Sequence, residues 1–98
     1  MIKSFKHKGL EMFFRTGGVL YTGRVSGIQT KHSLRIRLIL ARLNVAVCID
    51  DMNLPGLHLH KLSGKLQGFY AVRVNANWRI IFKLIQQDAY DINYLDYH

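Results

Sequence analysis

Arg73 and Arg79 flank the polar stretch Asn75-Ala76-Asn77. Paired guanidiniums hold a phosphate through several donors at once and stabilise charge that builds on its oxygens. Two strand arginines are also what ordinary surface charge looks like, so the residues that accompany them matter. The sequence ends Asp96-Tyr97-His98, a carboxylate, a phenol and an imidazole. Only the imidazole has an ordinary pKa near neutrality, which makes His98 the natural proton carrier. Such a tail taken alone would fray; here it follows a stretch of strand character that would hold it down. The set suits metal-free acid–base chemistry at a phosphate, or plain binding of one. His58 and His60 are two apart and would share a strand face. With one cysteine and no third ligand at fitting spacing, no metal and no other cofactor is expected. Neither a G-x-x-x-x-G-K-[ST] nor a G-x-G-x-x-G phosphate loop occurs.

The stretch from Gly68 to His98 must position these groups. Val72 and Val74, then Trp78, Ile80, Phe82 and Leu84, then Tyr90, Ile92 and Tyr94 recur at period two. Side chains alternate across a strand, so the pattern predicts three strands joined by two tight polar turns, with one apolar face. Arg73, Asn75, Arg79, Lys83, Asp91 and Asn93 fall between and predict an opposite face that is polar and basic. Trp78, Tyr90 and Tyr94 have rings that stack on bases, but their phase assigns them to the core.

Upstream the period changes. Ile2 to Phe5 suits a short strand at a sheet edge. Leu10, Phe13 and Phe14 lie on one helix face, ended by Gly17-Gly18. Val19 to Val25 reads as a loop. Ser26-Gly27-Ile28-Gln29 fits a capping box for a helix running to about Leu43. On that helix Leu34, Leu38 and Ala41 make one apolar row, and Ile36, Leu40 and Leu43 another beside it, for packing on the sheet. Lys31, Arg35 and Arg42 form a basic face, for phosphate or for solvent. Val45 to Met52 adds a helical turn or two, Leu54-Pro55-Gly56 is a turn, Leu57 to Leu62 a strand, and Ser63-Gly64-Lys65 the next turn. Helices early and strands late give an α+β fold, with helices on one face of an antiparallel sheet.

Composition narrows the classes. At 98 residues the chain suits one domain, residues 1–98, with a single two-layer core. Hydrophobic residues make up 49%, which excludes disorder, and 14 Lys and Arg against 6 acids give +8. That excess favours a polyanionic partner, nucleic acid above all. The lone Cys48 excludes an internal disulfide framework and suits a reducing cytoplasm; its apolar surroundings predict a buried structural thiol. No signal peptide or membrane span is expected.

Residues Gly68 to Phe82, with the run VRVNANWRIIF, and the ending NYLDYH resemble HigB toxins of the RelE superfamily. IKSFKHKGLEMFF near the start and HKLSGKLQGFY before Arg73 are similar to the same family; between Val19 and Leu57 the likeness thins. The resemblance implies a RelE-like α+β domain whose N-terminal helices pack on one face of a small twisted antiparallel sheet. It also implies a metal-free endoribonuclease toxin of a type II toxin–antitoxin pair. Its targets would be mRNA and the translating ribosome. A HigA-type helix-turn-helix antitoxin would be its partner, with DNA reached only through the antitoxin complex. Matched by position, His60, Arg73, Arg79, Asp96, Tyr97 and His98 fall where the family has its functional groups, and Lys61, Ser63, Lys65 and Lys83 are the implied substrate contacts. Some members carry a lysine where this chain has Ser63, with Lys61 and Lys65 beside it. Two functions follow: RNA cleavage by 2′-hydroxyl attack, or a non-catalytic basic module that binds RNA or ribosome under antitoxin control.

Overall fold

Alternating apolar residues over Tyr70–Arg73, Trp78–Ile85 and Asp88–Asp96 form three strands, β2, β3 and β4, preceded by a short β1 at His60–Lys61. The computed structural model describes residues 1–17 and 27–96. All neighbouring strands pair antiparallel in the order β1-β2-β3-β4, a meander. The segment Leu57 to Leu62 yields only a two-residue ladder. His58 at φ +50 turns the chain out of extended geometry just before it. The β3–β4 turn places Gln86 (φ +48) and Gln87 (φ +73) both in the left-handed region, the geometry of a type I′ hairpin.

One sheet face carries Val72, Val74, Ile80, Phe82, Ile92 and Tyr94 into the core, as their alternation predicts. Helix α1, Lys8–Arg15, lays Leu10 and Phe13 on this layer, and helix α2, Ser33–Val45, adds Ile36, Ile39, Leu40 and Leu43. Each such side chain removed from water contributes about 1.5–3 kcal/mol. The protein is therefore α+β, with its helices on one face of an antiparallel sheet. Among the described residues no helix is long and apolar enough to cross a membrane.

Four local expectations are corrected. The two apolar rows of α2 lie on opposite sides of the helix, not side by side. Leu34 and Ile36 are two residues apart, about 200° around a helix of 3.6 residues per turn. Ile36, Leu40 and Leu43 go inward; Leu34 (61% exposed), Leu38 (62%) and the exposed Ala41 stay in solvent. The basic face fixes this choice: Arg35 donates to the carbonyls of Arg73 (3.2 Å) and Gly56 (2.6 Å), and Arg42 to that of Asp51 (3.2 Å). Gln29 makes no side-chain cap, and α2 is entered through a 3₁₀ turn at Thr30–His32. The loop at Val19 to Val25, Gly18 and Ser26 lie outside the described residues. Cys48 is exposed, because the apolar run around it is interrupted. There Asp51 accepts from the N–H groups of Val47 and Cys48 and starts the 3₁₀ turn Ile49–Met52.

The fourth correction concerns Tyr90. The β3–β4 register slips between Ile81 and Lys83, and Asp91 stands at φ +55. This bulge reverses the alternation of β4 on its N-terminal side. Ala89, 0% exposed, takes the core position, and Tyr90 pairs with Lys83 on the opposite face. Ser4 holds the bulge: its Oγ accepts from the Asp91 N–H (2.9 Å) and donates to Asp91 Oδ1 (3.3 Å). Ile2 and Phe5 bridge Ala89 and Ile92 in parallel on either side of it. The expected first strand is thus two isolated bridges along β4.

Candidate functional site: the outer face of the sheet

The face away from the helices is ordered in rows by the register. Arg73 pairs with Arg79, and Arg79 with Leu95. His60, Ala71, Ile81 and Asn93 form the next row. Beyond it come Lys83 and Tyr90, with Phe69 one step past the Tyr70–Phe82 pair. The face is not uniformly polar, since Ala71 and Ile81 lie on it and are buried.

Like charges directly opposed across strands are unfavourable, so the Arg73–Arg79 pair needs a counterweight. The carbonyl of Asn75 supplies it, accepting from Arg73 Nε (3.2 Å) and Arg79 Nη1 (2.7 Å). Arg79 Nη1 also reaches the carbonyls of Ala76 (3.3 Å) and Trp78 (3.1 Å), and Arg73 Nη1 lies 3.4 Å from His58 Nε2. A guanidinium has five N–H donors, and these carbonyls hold the two side chains in place at the hairpin.

Asn75 is itself fixed from below. Its Oδ1 accepts from the N–H groups of Asn77 (3.0 Å) and Trp78 (2.9 Å), which leaves Nδ2 as the donor toward His32 Nε2 at 2.7 Å. His32 Nε2 is then an acceptor, and the ring proton sits on Nδ1, hydrogen-bonded to the Tyr94 hydroxyl. Burial, and secondarily Lys31, lowers the His32 pKa and keeps the ring in this neutral tautomer. Burial pushes the Tyr94 phenol up to about 12; a Gln29 backbone hydrogen bond opposes this and the Asp96 charge adds to it. Tyr94 stacks on Trp78 at 4.4 Å, and His7 meets its ring edge-on at 5.8 Å. Gly27, at φ +81, is required beside this cluster, since a Cβ there would come within 2.9 Å of the His7 ring. The arginine pair thus stands on a polar chain running from the hairpin to the first turn of the helical layer. His32 was not singled out by sequence reasoning, and Asn75, expected on the polar outer face, instead turns its amide to the buried His32. The one available signal was a histidine just before a long apolar helix.

The other expected residues are placed as follows. His60 is exposed on the arginine face, one row away, with Nδ1 against the His58 carbonyl at 2.9 Å. Lys61 pairs with Tyr70 at the end of the short edge strand β1, where it is exposed. Ser63 caps the 3₁₀ turn Gly64–Leu66 without a side-chain hydrogen bond, and both it and Lys65 are exposed. Lys83 lies 3.8 Å from Asp91 and stands 4.9 Å over the Phe69 ring. Asp96 pairs with Trp78, which puts it on the strand side opposite the arginines. Tyr97 and His98 lie outside the described residues.

A small α+β meander pairs two arginines beside a histidine on its open face, a set of side chains whose chemistry suits an anionic ligand. The model of the RelE-like toxin of the type II toxin–antitoxin system HigB matches residues 3–98, and the chain belongs to this family. Endoribonuclease HigB of Proteus vulgaris is 42% identical over 98 residues, covering 100% of both chains. Among solved structures, a mutant of YafQ from E. coli matches with a TM-score of 0.55 at 14% identity. It covers 98% of this chain and 91% of that one, and it shares the fold.

Proposed function

We propose that this toxin is an endoribonuclease that cuts mRNA on the translating ribosome in the cytoplasm. A HigA-type antitoxin would neutralise it, and DNA would be reached only through the complex with that antitoxin. The observation that carries the reading is the Arg73–Arg79 pair, held on one carbonyl and facing away from the core. In cleavage the ribose 2′-hydroxyl gives up its proton to a base and attacks the adjacent phosphorus. The P–O5′ bond breaks, and the leaving oxygen takes a proton from an acid. DNA lacks the attacking hydroxyl, which gives selectivity for RNA. Arg73 and Arg79 stabilise the charge on the pentacoordinate phosphate, and this needs no metal. His98 carries the protons together with His60, which is on the arginine face, or with Asp96, which stands at the end of β4 on its other side. Tyr97 orients the ribose or stacks on its base. Lys61, Ser63, Lys65 and Lys83 line the approach of the strand.

Induction of the chain alone in cells, followed by mapping of mRNA 5′ ends, tests this. New ends within translated frames are expected, and Arg79→Ala should remove them. Growth arrest with no new ends would instead indicate a non-catalytic ribosome binder.

A further inference from the structure

The far row of the outer face has no part in the phosphate chemistry, yet it costs the fold a strained residue to make. The bulge at Asp91 holds a non-glycine residue at φ +55 and turns Tyr90 from the core to the outer face. Bulges re-aim side chains in this way beside functional sites, and a left-handed non-glycine residue persists only where its surroundings impose it. Beside Tyr90 on that face stand Lys83 and Phe69, both only partly buried. Phe69 also lines a hollow of about 520 Å³ with Lys61, Leu62, Ser63 and Gln67. Gly68, at φ +95, brings the chain round into Phe69 at its rim.

We infer that this hollow is a nucleobase subsite, in which one base of the RNA strand stacks on Phe69. The inference rests on the RNA reading above and extends it to a second position on the strand. A flat ring, a cation and an amide around an open hollow are what an unpaired base requires: stacking, charge for the neighbouring phosphate, and a donor–acceptor group for the base edge. Gln67 supplies the amide, Lys61 and Lys83 the charge. Strands rise about 3.3–3.4 Å per residue, so Lys83 lies about 13 Å along β3 from Arg79. The base held there belongs to a nucleotide flanking the cleaved linkage, not to the linkage itself. Asp91 lies 3.8 Å from the Lys83 ammonium, which stands over one face of the Phe69 ring, so the base stacks on the other face.

The test measures binding, so it does not depend on cleavage. A 2′-O-methyl RNA oligomer, which lacks the attacking hydroxyl, is titrated alongside a series with one base removed at each position in turn. One abasic position should weaken binding to the parent chain about 5- to 150-fold, the effect of losing one stacked base. Phe69→Leu, which keeps apolar bulk without the ring, should bind intact and abasic oligomers alike, and Phe69→Tyr should restore the difference. If Phe69→Leu does not fold, Gln67→Ala and Lys83→Ala are scanned in the same way, and a shrunken penalty at that same position supports the subsite. A parent chain that binds every abasic oligomer as well as the intact one, or binds none of them, overturns the inference. So does a penalty that persists in the variants. Loss of mRNA cleavage in cells would strike the ribonuclease reading instead and leave these affinities as they are.

Discussion

The two ends of the outer sheet face are held in opposite ways. At the β2–β3 hairpin, Arg73 and Arg79 are fixed by an unbroken polar chain through Asn75 and His32 to Tyr94. At the far end, Tyr90 is turned beside Phe69 and Lys83 by a backbone irregularity and one serine. The difference follows from what each end must hold. Two like charges side by side repel and need several directed hydrogen bonds. Flat rings need only a strand that faces them the right way. The first end is therefore stiff and specific in chemistry, and the second specific mainly in direction.

Breaking the arginine end should cost most. Arg79→Ala is expected to slow single-turnover cleavage by about 2–4 kcal/mol of transition-state stabilisation while leaving the abasic-base penalty intact. An unchanged rate at saturating substrate would reduce Arg79 to surface charge. Asn75→Ala acts one step lower. It leaves His32 Nε2 and two turn N–H groups without their partner and should destabilise the fold by about 1–3 kcal/mol, read as a shift in the denaturation midpoint. Cleavage should fall with it, since both guanidiniums lose their fixed turn.

Ser4→Ala is the counterpart at the other end. It removes the acceptor for the Asp91 N–H and should cost about 0.5–1.5 kcal/mol. It should weaken base discrimination and spare the cleavage rate at saturation. Equal loss of both would mean that the two ends are one cooperative unit.

The mildest test is pH. His32 is neutral in the fold because burial lowers its pKa. His7 is likewise lowered by burial, its own backbone opposing, and its Nδ1 accepts from the Leu10 N–H at 3.0 Å. The unfolded chain takes up these protons from about pH 6.5 downward, and the folded chain does so only at lower pH. Stability should therefore be full above about pH 6.5 and decline as pH falls below it. Asn75→Asp should reverse the His32 part. A carboxylate there raises the imidazole pKa, and the stability it adds is present at low pH and lost as pH rises through the raised value. Thermal midpoints of parent and variant at pH 5.5 and 7.5 read both signs.

Much of the arginine end was legible in advance. Val72, Val74, Ile80 and Phe82 fix which face is buried, and strict alternation then puts Arg73 and Arg79 on the other. The far end was not legible. A bulge shifts phase by one residue, and nothing in Asp88-Ala89-Tyr90-Asp91 announces it, so Tyr90 read as core. The contact that imposes it, from Ser4 to Asp91, spans 87 positions. Helix α2 failed for a related reason. Apolar residues line two opposite sides of it, and periodicity ranks neither; the carbonyls that Arg35 and Arg42 reach decide the matter.

What the sequence determined by itself is whatever depends on neighbours a few residues away: strand phase, hairpin positions, the basic balance and the family pattern. Only the tertiary structure decided the tautomer of His32, the outward turn of Tyr90, the exposure of Cys48 and the facing of α2. Each of these is settled by a hydrogen bond or a packing choice between segments remote in the chain, and local periodicity carries no term for such contacts.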